Sequence, residues 1–362
     1  IDREAQRLVI TAKSLPTPVT PLVGRQALLA QIDHHVQNPA VRLITLVGLG
    51  GMGKSRVALA VADRARDEFQ NEVYYISLEH WLATCKNEML SAQQSYTLLI
   101  NATAEALGFT VDAAVQLTDQ QVSYQLQRVR RLLIFDCFES VVEGAPFLLK
   151  LLHEAPHIKM IVVSREVVQI PGEVVVKVEG LPGFYEGEGI ETDSQDNLGL
   201  PPAIELFTSS ALRHQADLTF TGEQLAQIDR ICALVDGNPL AIELAAGLVA
   251  HYTYEELSAL LSKNLQTLQA VGRGRLLRHR SIQEVLEESW RLLSQPEQKA
   301  LTQLSQLSRH FDRVEAVQFD GISPSILIGL TAKSMLQPVG QGRYRLPHLV
   351  QLFAAQKLHQ YQ

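Results

Sequence analysis

The chain has 362 residues, 46% of them hydrophobic and 20% charged, a composition of globular protein that excludes disorder and leaves room for about two to four domains. No run of 18 apolar residues is present, so no membrane span and no membrane partner is expected. A net charge of -7 with a pI near 5.9 argues against nucleic acid as the main partner of the whole chain. Three cysteines, Cys85, Cys137 and Cys232, lack close pairing and fit a reducing, cytoplasmic compartment. Position 1 is Ile1 and no signal peptide is visible, which leads us to expect a piece of a longer protein.

Residues 1–20 read as a linker or N-terminal segment, because "LPTPVTP" (15–21) carries three prolines and favours an extended chain. "VRLITLVGLGGMGKS" then reads as a buried strand, a glycine loop and the start of a helix whose Val61, Ala65 and Phe69 share a face. Further β-branched runs at 72–78, 131–136, 159–164 and 173–178 alternate with helical stretches. That alternation predicts an α/β fold, a parallel P-loop NTPase sheet with helices on both faces, over 21–182.

The segment "GFYEGEGIETDSQDNLG" holds five acids and no base, so 183–200 reads as an acidic flexible loop. Helical periodicity dominates afterwards, and we expect a helical domain over 201–272. Gly237 closes one helix there, Asn238 caps the next and Pro239 occupies its first position. "SIQE" (281–284) and "SQPE" (294–297) match the capping box. The tail reads as strand, Gly turn, strand and helix, which predicts a winged-helix domain over 273–362.

Gly48, Gly53, Lys54 and Ser55 satisfy G-x-x-x-x-G-K-[ST] between a strand and a helix. Glycines let backbone N–H groups curl around phosphates, and the helix N-terminus adds its positive end. The phosphate-binding set is therefore Gly48, Gly50, Gly51, Met52, Gly53, Lys54, Ser55 and Arg56. Lys54 is placed on the β- and γ-phosphates and Ser55 on Mg²⁺. The strand "RRLLIFD" ends in Asp136, the carboxylate expected in the magnesium shell. An efficient hydrolase often sets a second acid beside it, whereas here the neighbour is Cys137 and Glu139 lies farther on. The next strand delivers Arg165, which can reach a γ-phosphate or serve as one half of a surface salt bridge.

In sequence order, "LPTPVTPLVGR", "LITLVGLGGMGKSRVALAVA", "LLIFDCFESV", "IKMIVVSRE", "DGNPLAIELAA", "SIQEVLEESWRLLS" and "GRYRLPHLVQLFAAQKL" resemble the NB-ARC subfamily of STAND ATPases, bacterial regulator type. The resemblance runs from about residue 15 to 360. It implies three domains folded over a shared ADP or ATP, with Val23, Gly24 and Arg25 beside the adenine. Pro239, with Gly237, would bring the helical domain onto the nucleotide, and Arg165 would distinguish ATP from ADP. The family's winged helix ends in a His-acid motif that locks ADP. An ungapped match puts Pro347 at the His position and His348 at the acid position, so the lock shifts to His348, or is weakened or replaced, with His348 then only opening a helix and touching no ligand.

Three functional classes follow. The first is a signalling switch in which ADP holds the domains closed and ATP opens them for self-association, with effector and sensor domains outside this chain. Such a switch is at most a slow Mg²⁺-dependent ATPase. The second is a kinase or NTPase with substantial turnover. The third is a DNA-binding regulator acting through the winged helix, helped by "GRGRLLRHR" (272–280), whose bland reading is a solvated linker.

Overall fold

The computed structural model describes residues 15–85, 90–109, 118–183, 199–269 and 281–360. Most of the acidic loop, 184–198, and the basic stretch 272–280 lie outside the described residues, as do residues 1–14. The chain divides into two compact units: one runs to Val47 and resumes over Lys54–Lys177, and the other joins Gly48–Gly53 to everything from Val178 onward.

The first unit is built on apolar strands. In chain order it contains α1 (Gln26–Gln37), β1 (Leu43–Val47), α2 (Lys54–Arg64), β2 (Val73–Ser77), α3 (Glu79–Thr84), α4 (Ala92–Ala106), α5 (Asp119–Leu126) and β3 (Arg131–Asp136). A 3₁₀ turn (Phe138–Gly144), α6 (Pro146–Glu154), β4 (Ile158–Ser164) and β5 (Glu173–Lys177) follow. The strands form a parallel sheet in the order β2-β3-β4-β1-β5, so β4 separates the loop-bearing strand from the one that ends in Asp136.

Strand side chains alternate between faces, and both faces are covered. Leu133, Phe135, Met160 and Val162 pack with Leu99, Val122, Phe147 and Leu151 of α4, α5 and α6. The alternate residues Ile44, Leu46, Leu132, Ile134 and Ile161 are buried as deeply, and α2 packs against β1, β3 and β4. The helix expected through Phe69 stops at Arg64, although Ala65 and Phe69 remain buried and keep i−4 hydrogen bonds. Gln70 and Asn71, both at positive φ, then turn the chain toward β2.

The second unit packs α7 (Pro202–His214), α8 (Gly222–Leu234), α9 (Pro239–Ala246) and α10 (Tyr254–Leu261) on one another. It continues with α11 (Ile282–Arg291), α12 (Gln295–Leu304), β6 (His310–Asp312), α13 (Arg313–Ala316), α14 (Pro324–Ala332), β7 (Gln337–Pro338), β8 (Arg343–Arg345) and α15 (His348–Gln360). Strand order β6-β8-β7, all antiparallel, with two helices between β6 and the hairpin, is a winged helix. The Ser294 N–H donates to Glu297 at 2.7 Å, as the capping pattern requires. Ser281 differs: its hydroxyl accepts from Gln283 N, one residue short of the box geometry, so "SIQE" caps α11 through one bond.

Candidate functional site

β1 runs directly into the glycine loop, and α2 begins at Lys54. Gly51 has φ 81, and an added Cβ would lie 2.7 Å from Asn238 Oδ1, so this position tolerates glycine alone. The close approach has a cause. Asn238 Nδ2 donates to the Gly50 carbonyl at 2.9 Å and Leu240 N donates to the Gly51 carbonyl at 3.2 Å. Trans peptide geometry turns the N–H of Gly51 away from the carbonyl that Asn238 holds. Asn238 is 1% exposed and also caps α9, its Oδ1 accepting from Ala241 N. Pro239 sits at the first turn of that helix, where its missing N–H costs nothing. Gly237, at φ 63, completes the tight entry. Met52 is buried.

Lys54 opens α2 and is 8% exposed. Burial pushes its ammonium down to about 8, opposed by the nearby Glu139 and Asp136 carboxylates and reinforced by Arg165. Next in sequence, Ser55 Oγ donates to Asp136 Oδ1 at 2.9 Å. The backbone N–H of Cys137 donates to the same oxygen at 3.0 Å, and the Tyr75 hydroxyl donates to Oδ2. Burial beside this carboxylate pushes the Tyr75 phenol up, so it acts as a donor throughout the ordinary pH range. β2 and β3 are neighbours in the sheet, which is why a residue of β2 steadies the carboxylate that ends β3.

The donor set suits magnesium. Among the described residues no group of three or more His, Cys, Asp or Glu could cage a metal, and Mg²⁺ needs none when phosphate and water supply most ligands. Because the Ser55 hydroxyl donates its proton to Asp136, its lone pairs stay available to a hard cation.

Arg165 directly follows β4 and its Nε lies 3.1 Å from Glu139 Oε1, both side chains being nearly buried. Arg56 donates to the carbonyls of Thr20 and Pro21, each at 2.6 Å. This ties the start of α2 to the segment leading into Val23, Gly24 and Arg25; Gly24 has φ 64 and Arg25 is buried. Arg56, expected on phosphate, is thus engaged with backbone.

In the second unit, Asp236 stands in a left-handed conformation (φ 53) immediately before Gly237 and is 8% exposed. Arg309 and Arg345 both donate to its Oδ1, the latter at 2.9 Å, and Leu349 N at the start of α15 donates to Oδ2 at 3.2 Å. His348 opens α15, and neither ring nitrogen has a hydrogen-bond partner among the described residues. Pro347 is buried and accepts from Gln351 N. Sequence reasoning missed Tyr75, Asp236, Arg309 and Arg345; the only signal was that "DG" precedes Asn238.

Burial and the Arg309 guanidinium hold His348 below its ordinary value, against a weaker pull from Asp236. The unfolded chain therefore binds more protons near this pKa, so stability present above about pH 6.5 is lost as pH falls. Replacing His348 with Leu should flatten the slope of stability between pH 7 and 5, measured by urea melts; an unchanged slope would refute the assignment.

α14 occupies the place of the groove-reading helix in a DNA-binding winged helix. Its sequence "PSILIGLTA" carries no base, Ile328 is 67% exposed, and the flanking Lys333 is held by Glu297 at 2.7 Å. Such a face offers phosphates no cation. Among the described residues no helix is long and apolar enough to cross a membrane.

The parallel five-stranded sheet with helices on both faces and a glycine loop after β1 is the fold of P-loop NTPases. No family model matches it. Over 335 residues, 88% of the chain, it is 28% identical to a Mycobacterium tuberculosis protein provisionally named an HTH-type transcriptional regulator, and it spans about a third (34%) of that relative's length. Among solved structures it is similar to a STAND protein with a tetratricopeptide repeat sensor from Pyrococcus horikoshii, at 15% identity and TM-score 0.37, covering 95% of this chain and 44% of that one. It is also similar to the Aeropyrum pernix Orc1 protein in complex with DNA, at 14% identity and TM-score 0.40, covering 94% and 95%.

Proposed function

We propose that this chain is an adenine-nucleotide switch, the NB-ARC-like core of a longer cytoplasmic regulator. The observation that carries the reading is the 2.9 Å bond from Ser55 to Asp136, beside a buried Lys54 held at about 8. Lys54, the glycine loop and the start of α2 take the phosphates of ADP or ATP. Ser55 and Asp136 would hold Mg²⁺, which would neutralise phosphate charge there. Val23, Gly24 and Arg25 take the adenine side, and Pro239 and His348 are assigned to the ADP-bound form. The modules we assign are 21–182, 201–272 and 273–362.

Holding is favoured over rapid turnover because Asp136 is followed by Cys137, with Glu139 already paired to Arg165. Exchange of ADP for ATP biases a bistable arrangement of domains, opens it and permits self-association. Hydrolysis resets it slowly. The apolar α14 argues against the DNA-binding reading.

The test is the nucleotide released from denatured purified protein. Near one ADP per chain is expected. A protein that neither carries nor binds adenine nucleotide overturns the proposal, and untriggered turnover above about one per second replaces it with a working enzyme.

A further inference from the structure

We propose that Glu139 is a built-in rival of the γ-phosphate, a carboxylate that occupies Arg165 in the absence of ATP and so sets the preference of the site for ADP. This inference rests on the nucleotide-binding reading above and adds to it the residue that discriminates between the two nucleotides.

The backbone explains how the acid comes to be there. Cys137 adopts a left-handed conformation (φ 65, ψ 42), reversing the chain just after β3. Phe138 is then buried against Phe135 in an edge-to-face contact that anchors the turn. Glu139 follows in the 3₁₀ turn and meets Arg165, the first residue beyond β4, at 3.1 Å. β3 and β4 are adjacent in the sheet, so both groups project from the same edge. The two side chains are 14% and 11% exposed, which shields the pair from solvent and salt.

The charge balance gives the pair its meaning. Lys54 and Arg165 supply two positive charges, and Asp136 and Glu139 supply two negative ones. Of these carboxylates, Glu139 is the stronger opposite charge on Lys54. Asp136 is committed to Ser55, Tyr75 and its own following amide, whereas the ion pair of Glu139 is with a side chain that can turn to another anion. With the β-phosphate at the loop, ADP leaves that pair in place. A γ-phosphate moves the doubly charged terminal group outward, next to the same cations, and raises the total by about one negative charge over ADP; it and Glu139 repel at close range in a partly desolvated site. ATP must therefore detach Arg165 from Glu139, a cost that ADP never meets.

The experiment measures binding of ADP and of a non-hydrolysable ATP analogue, both with Mg²⁺, by calorimetry on wild type, Glu139→Gln, Arg165→Gln and the double variant. Glu139→Gln keeps the shape and removes the charge, and it should tighten the ATP analogue about tenfold while moving ADP less than about twofold. In the Arg165→Gln background the same change should gain less than about threefold, because the released cation is gone. Glu139→Asp keeps the charge but shortens the reach, and it should give an intermediate gain of about threefold; it serves as the test if the Gln variant does not fold. Equal changes for both nucleotides, or an unchanged or weaker ATP analogue, overturn the role of Glu139. A wild type that binds neither nucleotide overturns the switch itself.

Discussion

Replacing Lys54 with alanine should cost at least about 100-fold in affinity for ADP and ATP, since it removes charge-assisted bonds worth about 1.5–3 kcal/mol each. The fold should survive, and for a specific reason. Lys54 is an ammonium buried without phosphate, held at about 8 rather than near its ordinary value. The unfolded chain binds more protons between about pH 8 and 10.5, so the empty protein gains stability as pH rises through that window and carries the full penalty below it. Alanine removes the penalty. Thermal unfolding of the nucleotide-free variant should therefore match or exceed wild type at pH 7, while calorimetry finds the weakened nucleotide binding.

The same buried ammonium predicts proton uptake. Phosphate restores the charged form of Lys54, so binding at pH 8.5 should take up roughly half to one proton per nucleotide, read from calorimetry in buffers of different ionisation enthalpy. No uptake, together with undiminished binding by the alanine variant, would remove Lys54 from the site.

The strands β2 to β5 were legible as short apolar runs, and their expected limits differ from those observed by at most one residue at either end, whereas the three-residue β6 was not read from the sequence. Their order in the sheet was not legible. Crossover lengths do not say that β4 sits between β1 and β3, and without that order neither Tyr75 beside Asp136 nor Glu139 beside Arg165 can be derived. The glycine loop was readable because its chemistry is local: a loop, a lysine and a serine in consecutive positions. The capping difference at Ser281 is local too, decided by one residue of helix phase that the pattern does not encode. Asp236 was invisible for the opposite reason, since its partners lie 73 and 109 residues downstream and are ordinary arginines in sequence.

That carboxylate supports the second large effect. Asp236→Ala removes the common acceptor of Arg309, Arg345 and the first turn of α15, leaving two cations and a helix N-terminus facing one another. Breaking a buried pair from one side costs about 3–5 kcal/mol, and the 32% exposure of both arginines argues for the lower end, about 3 kcal/mol. Arg309→Ala or Arg345→Ala alone should cost about 1 kcal/mol, because the carboxylate keeps its other partner. The damage should also spread along the chain. Asp236 leads straight into Gly237 and Asn238, and Asn238 holds the carbonyl of Gly50, so a loosened Asp236 releases the support of the phosphate loop. Faster hydrogen exchange at Leu349 N should accompany the loss of stability, and ADP affinity should fall by about tenfold. A variant that unfolds within about 0.5 kcal/mol of wild type and retains ADP as tightly would show that the arginines are solvated and that Asp236 supports neither α15 nor the loop.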